Sequence, residues 1–189
     1  MKQTVLKFKY TLSVLSIITV AGCLFWVLWR GLQENPNSRR DVLAGTKAAP
    51  FKIDALKGHR TDFIQLPSTL DLDLFKGKPL IINFWASWCA SCKEEAAFLQ
   101  EFWQEYHNQV YILGISVHDT MEDSLKLAQF VGKSYPLGVD SDGKVSLDYG
   151  VSGVPETVFI DSTGKIYHKE VGPVDKELLL KTLASLQEH

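Results

Sequence analysis

Two cysteines, Cys89 and Cys92, stand three apart in the run Trp88-Cys89-Ala90-Ser91-Cys92, just after an apolar stretch and just before a helix-like one. That spacing places both thiols on one helical turn, where they can close a reducible disulfide. The first thiol lies where the unpaired N–H groups and the dipole of a helix start stabilise a thiolate. The chemistry this pattern suits is thiol-disulfide exchange. A C-x-x-C also serves as half of a zinc site, but only with a second pair of Cys or His at ligand spacing. The chain has one other cysteine, Cys23, and its histidines, His59, His107, His118, His168 and His189, are scattered singly. No metal is expected, and no cofactor beyond the redox pair Cys89–Cys92 itself.

The elements that must position this pair are legible on both sides of it. Leu80 to Trp85 and Val110 to Val117 are short apolar, β-branched or aromatic runs that suit strands covered on both faces. Between them Leu99, Phe102, Trp103 and Tyr106 recur at helical spacing, which predicts a helix from about Ala90 to His107 and a parallel crossover. Leu125, Ala128 and Val131 mark a second helix, Thr157–Ile160 and Ile166–Val171 a hairpin, and Leu179, Leu183 and Leu186 a closing amphipathic helix. Upstream, Phe51 and Ile53 alternate with polar neighbours, Gly58 suits a turn and Asp62 to Leu66 resumes the alternation, so a short N-terminal hairpin is expected there.

One acid belongs to the dithiol on spacing alone. Glu95 is three residues after Cys92 and four before Leu99, so it shares their helix face and turns toward the core, whereas Glu94 is rotated roughly 100° away. Partial desolvation raises a carboxyl pKa, which makes Glu95 a candidate proton acceptor and donor for Cys92. The competing expectation is a solvated acid in the first turn of a helix, where the dipole favours it.

The N-terminus has a different character. No charged residue occurs from Tyr10 to Trp29, with Lys2, Lys7 and Lys9 before the run and Arg30 after it. A run of about 20 uncharged residues matches a membrane span, Trp26 and Trp29 suit an interfacial belt, and the lysines favour a cytoplasmic N-terminus. Val20-Ala21-Gly22-Cys23 also resembles a lipobox, although the apolar run continues past it, as a retained helix would. The expected organisation is an anchor over 1–30, a polar linker over 31–45 and a folded domain over 46–189. With 20 basic against 22 acidic side chains and no basic patch, nucleic acid is not an expected partner.

Taken in register, the strand ending Phe84-Trp85-Ala86, the Trp88–Cys92 motif opening a helix, and Val154-Pro155 ahead of a strand resemble the thioredoxin fold. Residues 42 to 175 are most similar to the membrane-anchored thiol-disulfide oxidoreductases of cytochrome c maturation, the CcmG/DsbE family. The stretch Tyr149-Gly150-Val151-Ser152-Gly153-Val154-Pro155-Glu156-Thr157 carries most of that likeness, with Gly77-Lys78-Pro79 and the insert from His118 to Leu137. The resemblance implies an α/β thioredoxin fold, a mixed central sheet flanked by helices, with an N-terminal β-hairpin and a single preceding transmembrane helix.

It also implies catalysis by Cys89, Cys92 and Glu95, and a substrate-binding surface of Trp88, Val154, Pro155 and Glu156. Pro155 would be cis and its loop would pair with an extended partner, whereas residue type alone equally allows a trans proline opening a strand. Glu156 would help define a partner-binding groove. Asn83 replaces the buried Asp of ordinary thioredoxins, which leaves Glu95 as the proton relay. Ala90-Ser91 replaces the proline-containing dipeptide usual in this branch, and reduction potentials in the fold span about −270 to −120 mV, so the potential is left open.

The implied function is a periplasmic reductant on a single-pass inner-membrane anchor. It would reduce the haem-attachment cysteines of apocytochrome c, or a maturation partner, and be re-reduced by a membrane electron donor. A broader periplasmic disulfide reductase or isomerase is the alternative. A copper-binding module on this fold uses C-x-x-x-C with a distant His, and a peroxidase cysteine does not come as C-x-x-C, so neither suits the motif.

Overall fold

The computed structural model describes residues 16–30 and 43–187. The chain divides into two compact units, residues 1–39 and 40–189. In the first, residues 16–30 form helix α1, exposed along its length. Among the described residues no helix is long and apolar enough to cross a membrane. The expected span from Tyr10 to Trp29 begins outside the described residues, as does most of the expected linker.

The second unit is built on seven strands in the order β2-β1-β5-β4-β3-β6-β7. Its centre is parallel: β3 (Leu80–Trp85) pairs with β4 (Tyr111–Val117), and β4 with β5 (Leu137–Asp140). The flanks are antiparallel, with β6 (Glu156–Ile160) on β3 and β7 (Ile166–Val171) on β6. At the other side β1 (Lys52–Ala55) joins β5 and β2 (Thr69–Asp71). The mixed sheet is as expected, but the N-terminal hairpin differs. Asp62 to Leu66 is not a strand, and β1 takes Thr69–Asp71 as its partner instead. The intervening loop is held by Thr61 Oγ1, which donates to Ile64 O, and by stacking of Phe63 on His107. Those contacts use the apolar positions that read as strand alternation.

Helix α2 (Ala90–Tyr106) crosses over from β3 to β4, and α3 (Met121–Phe130), α4 (Lys144–Asp148) and α5 (Lys176–Gln187) follow. Because successive strand residues face opposite ways, β3 feeds two cores. Ile81 and Trp85 pack with Leu99, Phe102 and Trp103 of α2 and Leu179 and Leu183 of α5, while Leu80, Ile82 and Phe84 pack on the opposite face with Val145 of α4 and Val158. Both faces of β3 are buried, so the strand and the loop that follows it are firmly placed. Residue 114 of β4, directly opposite Asn83, must be glycine: a Cβ there would meet Leu137 Cδ2 at 2.5 Å, Trp85 Nε1 at 3.0 Å and Tyr135 Cε2 at 3.1 Å.

Candidate active site

Cys89 is the N-cap of α2 and Cys92 lies in its first turn, so the motif sits where β3 hands the chain to the helix. The two sulfurs form a disulfide. The backbone N–H of Cys92 points at Cys89 Sγ, 3.1 Å away. On reduction that N–H and the helix dipole favour a thiolate at Cys89 rather than at Cys92. The peptide bond Val154–Pro155 is cis, and the Val154 carbonyl oxygen lies 3.7 Å from Cys89 Sγ. Trp88 stands 63% exposed beside them, its indole N–H donating to His118 O. A cleft of about 180 Å³ opens there, lined by Trp88, His118, Val151, Ser152 and Val154 among others.

The loop carrying the motif is pinned from the start of the insert. Asp119 accepts from Ser87 N at 2.6 Å and Ser87 Oγ at 2.8 Å, and its carboxylate also takes the hydroxyls of Ser116 and Ser124. Sequence reasoning passed over Asp119, which reads as an ordinary turn aspartate ahead of a helix.

Glu95 is 1% exposed. Its carboxylate accepts from Asn83 Nδ2 at 2.8 Å and from Val174 N at 2.9 Å, and Asn83 is steadied by Thr157 Oγ1. Burial pushes its carboxyl above the ordinary glutamate range, although the two hydrogen bonds and the charge of Lys133 pull the other way. The expectation of a core-facing acid on the Cys92 side of α2 matches this placement, and the solvated-acid expectation does not.

Glu156, expected to help define a groove beside Pro155, is a buried acid and not a solvated loop residue. It is 1% exposed, and its Oε1 accepts from Ser152 N, Ser152 Oγ and Gly153 N at 2.9, 2.7 and 3.1 Å. Oε2 meets Lys169 Nζ at 2.6 Å, and the same ammonium donates to the carbonyls of Tyr149 and Gly150. A carboxylate buried this deeply requires its cation and its donors. It therefore shapes the loop ahead of Pro155 from beneath and does not reach a partner across the groove. Lys169 itself was hidden from sequence by a β-bulge: Phe159 pairs with His168 but Ile160 with Ile166, so Tyr167 is an extra residue and the alternation of β7 reverses. Ile166 and Lys169 are consequently both turned inward.

Fold and site together define a thiol-disulfide oxidoreductase of the thioredoxin class. Comparison with known proteins narrows this. A DsbE thiol:disulfide interchange protein of Allochromatium vinosum is 35% identical over 85% of this chain and 82% of its own length. The HelX thiol:disulfide interchange protein of Rhodobacter capsulatus is 32% identical over 93% and 94%. Among solved structures, a DsbF homologue of Corynebacterium diphtheriae superposes with a TM-score of 0.64 at 21% identity, covering 80% of this chain and 90% of that one, which speaks to the fold. The chain belongs to the AhpC/TSA family, matched over residues 44–169, and among its members to the DsbE-type interchange proteins.

Proposed function

We propose that this protein is a membrane-tethered reductant of cytochrome c maturation, acting in the periplasm on the haem-attachment cysteines of apocytochrome c or on a maturation partner bound to them. The observation that carries the reading is the placement of Cys89 Sγ, capped by a helix N–H and facing the Val154 carbonyl beside an exposed Trp88. An extended partner can lay its disulfide there and hydrogen-bond to the backbone of the 154–155 loop. The likeness to DsbE and HelX over most of both chains supports the choice of pathway. The anchor is supported by the uncharged run from Tyr10 to Trp29 and by α1, whose apolar side chains such as Ile17, Phe25 and Trp29 are exposed.

Exchange runs in two steps. The Cys89 thiolate attacks a partner disulfide, forming a mixed disulfide and releasing the other partner sulfur as a thiolate. Cys92 then attacks Cys89 Sγ, the bond to the partner breaks with its electron pair on the partner sulfur, and the Cys92 proton passes to Glu95. The oxidised pair is returned to dithiol by two electrons from a membrane donor and two protons, one given back to Cys92 by Glu95 and one taken from solvent. A dedicated reductant is needed because an oxidising compartment closes cysteine pairs that haem attachment requires open.

The test is to trap partners with Cys92→Ser, which stalls the mixed disulfide at Cys89, and to read the redox state of the wild-type pair in cells by acid quenching and thiol alkylation. A largely reduced pair and a trapped c-type apocytochrome or maturation factor are expected. A largely oxidised pair with many unrelated partners would replace this reading with that of a general oxidant or isomerase.

A further inference from the structure

Beneath the dithiol lies a buried cation that the two exchange steps leave unused. Lys133 sits in the turn between α3 and β5, only 5% exposed, with Nζ 3.5 Å from the centre of the Trp85 ring and 5.7 Å from that of Tyr135. A lysine in a Gly-Lys-Ser turn ordinarily extends into water, so turning it inward requires a compensating interaction.

Its seat is specific. Trp85 is two residues along β3 from Asn83, so both project from the same face of the sheet, about 7 Å apart along the strand. Asn83 is the residue that holds Glu95. Gly114, opposite Asn83, supplies the room in which Trp85 and Tyr135 come together. Trp85 Nε1, Tyr135 Oη and Asn83 Oδ1 have no hydrogen-bond partner among the described residues, which marks a polar compartment of limited hydrogen bonding. The residues that hold the carboxylate and seat the cation, Asn83 and Trp85, are thus neighbours on one strand face, and both charges are out of water, where a charge is felt far more strongly than at the surface.

We propose that Lys133 is a positioning residue for the exchange reaction: its ammonium, seated on Trp85, holds Glu95 in the carboxylate form that can accept the Cys92 proton. The inference rests on Glu95 being that acceptor. The charges agree with it. Burial lowers the Lys133 ammonium to about 7 while Glu95 pulls it back up, and Lys133 in turn opposes the upward push of burial on Glu95. The other titratable groups facing the pair are few. Tyr135 in the Lys133 turn is raised well above the ordinary phenol range, chiefly by burial. His59, bonded to Tyr135 O, is lowered, chiefly by burial, and feels Lys133 as well. Asp62 lies near His59, Cys89 and Cys92 lie on the α2 side, and Asp175 follows Val174.

When Cys92 gives up its proton, Glu95 becomes neutral and Lys133 loses its counter-charge. Removing the cation therefore makes the carboxylate harder to form, and the acid limb of the exchange rate moves to higher pH. The experiment measures single-turnover reduction of a small peptide disulfide by the full chain in detergent, from about pH 5 to 9, for wild type, Lys133→Met, Lys133→Arg, Glu95→Gln and the Glu95→Gln/Lys133→Met pair. The Glu95 carboxyl is titrated in parallel by carbon NMR. Lys133→Met is expected to move the acid limb and the Glu95 titration upward by about one pH unit, with roughly tenfold slower exchange near pH 6. Lys133→Arg should stay near wild type, and the double variant should match Glu95→Gln.

A Lys133→Met profile that superimposes on wild type, while Glu95→Gln still alters the profile, overturns the Lys133 proposal and leaves Glu95 in place. A Glu95→Gln profile identical to wild type removes the acceptor role and the Lys133 proposal with it. If Lys133→Met does not fold, Lys133→Gln carries the same test.

Discussion

Two glutamates, equally buried, flank the functional loop pair and are held in opposite ways. Glu156 touches a lysine and three donors, and its ammonium partner also gathers the Tyr149 and Gly150 carbonyls. Glu95 has two donors, Asn83 Nδ2 and Val174 N, and the cation that influences it, Lys133, is seated over the Trp85 ring. The first arrangement fixes a charge so that a loop keeps its shape. In the second, burial raises the carboxyl and the charge of Lys133 opposes that rise, which is the balance that the proton-acceptor role proposed for Glu95 requires.

The sharpest attack on this contrast is at the direct pair. Lys169→Met strands the Glu156 carboxylate in the core and should cost about 3–5 kcal/mol, read as a fall in the urea midpoint, with Glu156→Gln in the same chain restoring a large part of it. Glu156→Gln alone keeps an acceptor for Ser152 and Gly153 and should cost about half as much. In contrast, Glu95→Gln should leave the fold intact and slow exchange about tenfold near neutral pH, equivalent to about 1.4 kcal/mol of barrier, with the deficit vanishing in acid where wild-type Glu95 is itself protonated. If Glu95→Gln unfolded the protein while Lys169→Met did not, the two roles would be exchanged.

The smallest effect concerns stability against pH. Because the Glu95 carboxyl is raised in the folded protein, the folded state holds that proton more tightly than the unfolded chain. Its stabilising contribution is full below the ordinary glutamate value of 4.5 and is lost as pH rises through the folded value. Glu95→Gln should therefore flatten the decline in Tm as pH rises above the ordinary glutamate value and be the more stable form at alkaline pH, checked by calorimetry.

How much of this was legible depends on how local each cause is. Strands β3, β4 and β6 and helices α2, α3 and α5 follow from their apolar patterning, and β7 from the Asp161–Gly164 turn that sets it off as the second arm of a hairpin. The dithiol and the burial of Glu95 follow from short spacings around one helix start, whereas the place of Pro155 beside them was implied by the resemblance to the thioredoxin fold. What escaped depends on distant pairing. The expected partner of β1 was Asp62 to Leu66, and the true one, three residues around Leu70, is too short for alternation to reveal it. Strand β5 is four residues with a glycine, below the length at which alternation speaks. Lys133 and Lys169 read as solvated lysines, one in a polar turn and one in a strand whose hidden bulge inverts its faces. The depth of Glu156 could not be read locally, for its burial is decided by Lys169 thirteen residues later.

The small β1–β2 hairpin has a consequence for how the molecule tolerates crowding. It occupies what would otherwise be the open rim of β5, and the new rim, β2, is three residues long and ends in Asp71. At the opposite rim the start of β7 is covered by residues 45–48, through Gly45 N to Ile166 O, Ile166 N to Thr46 O and Ala48 N to Gly164 O. Short or covered rims offer little template for two copies to zip together. Among the described residues the rims of the sheet are thus poor seats for a second copy, and the strand-type pairing proposed for a partner falls instead to the loop that ends at Pro155.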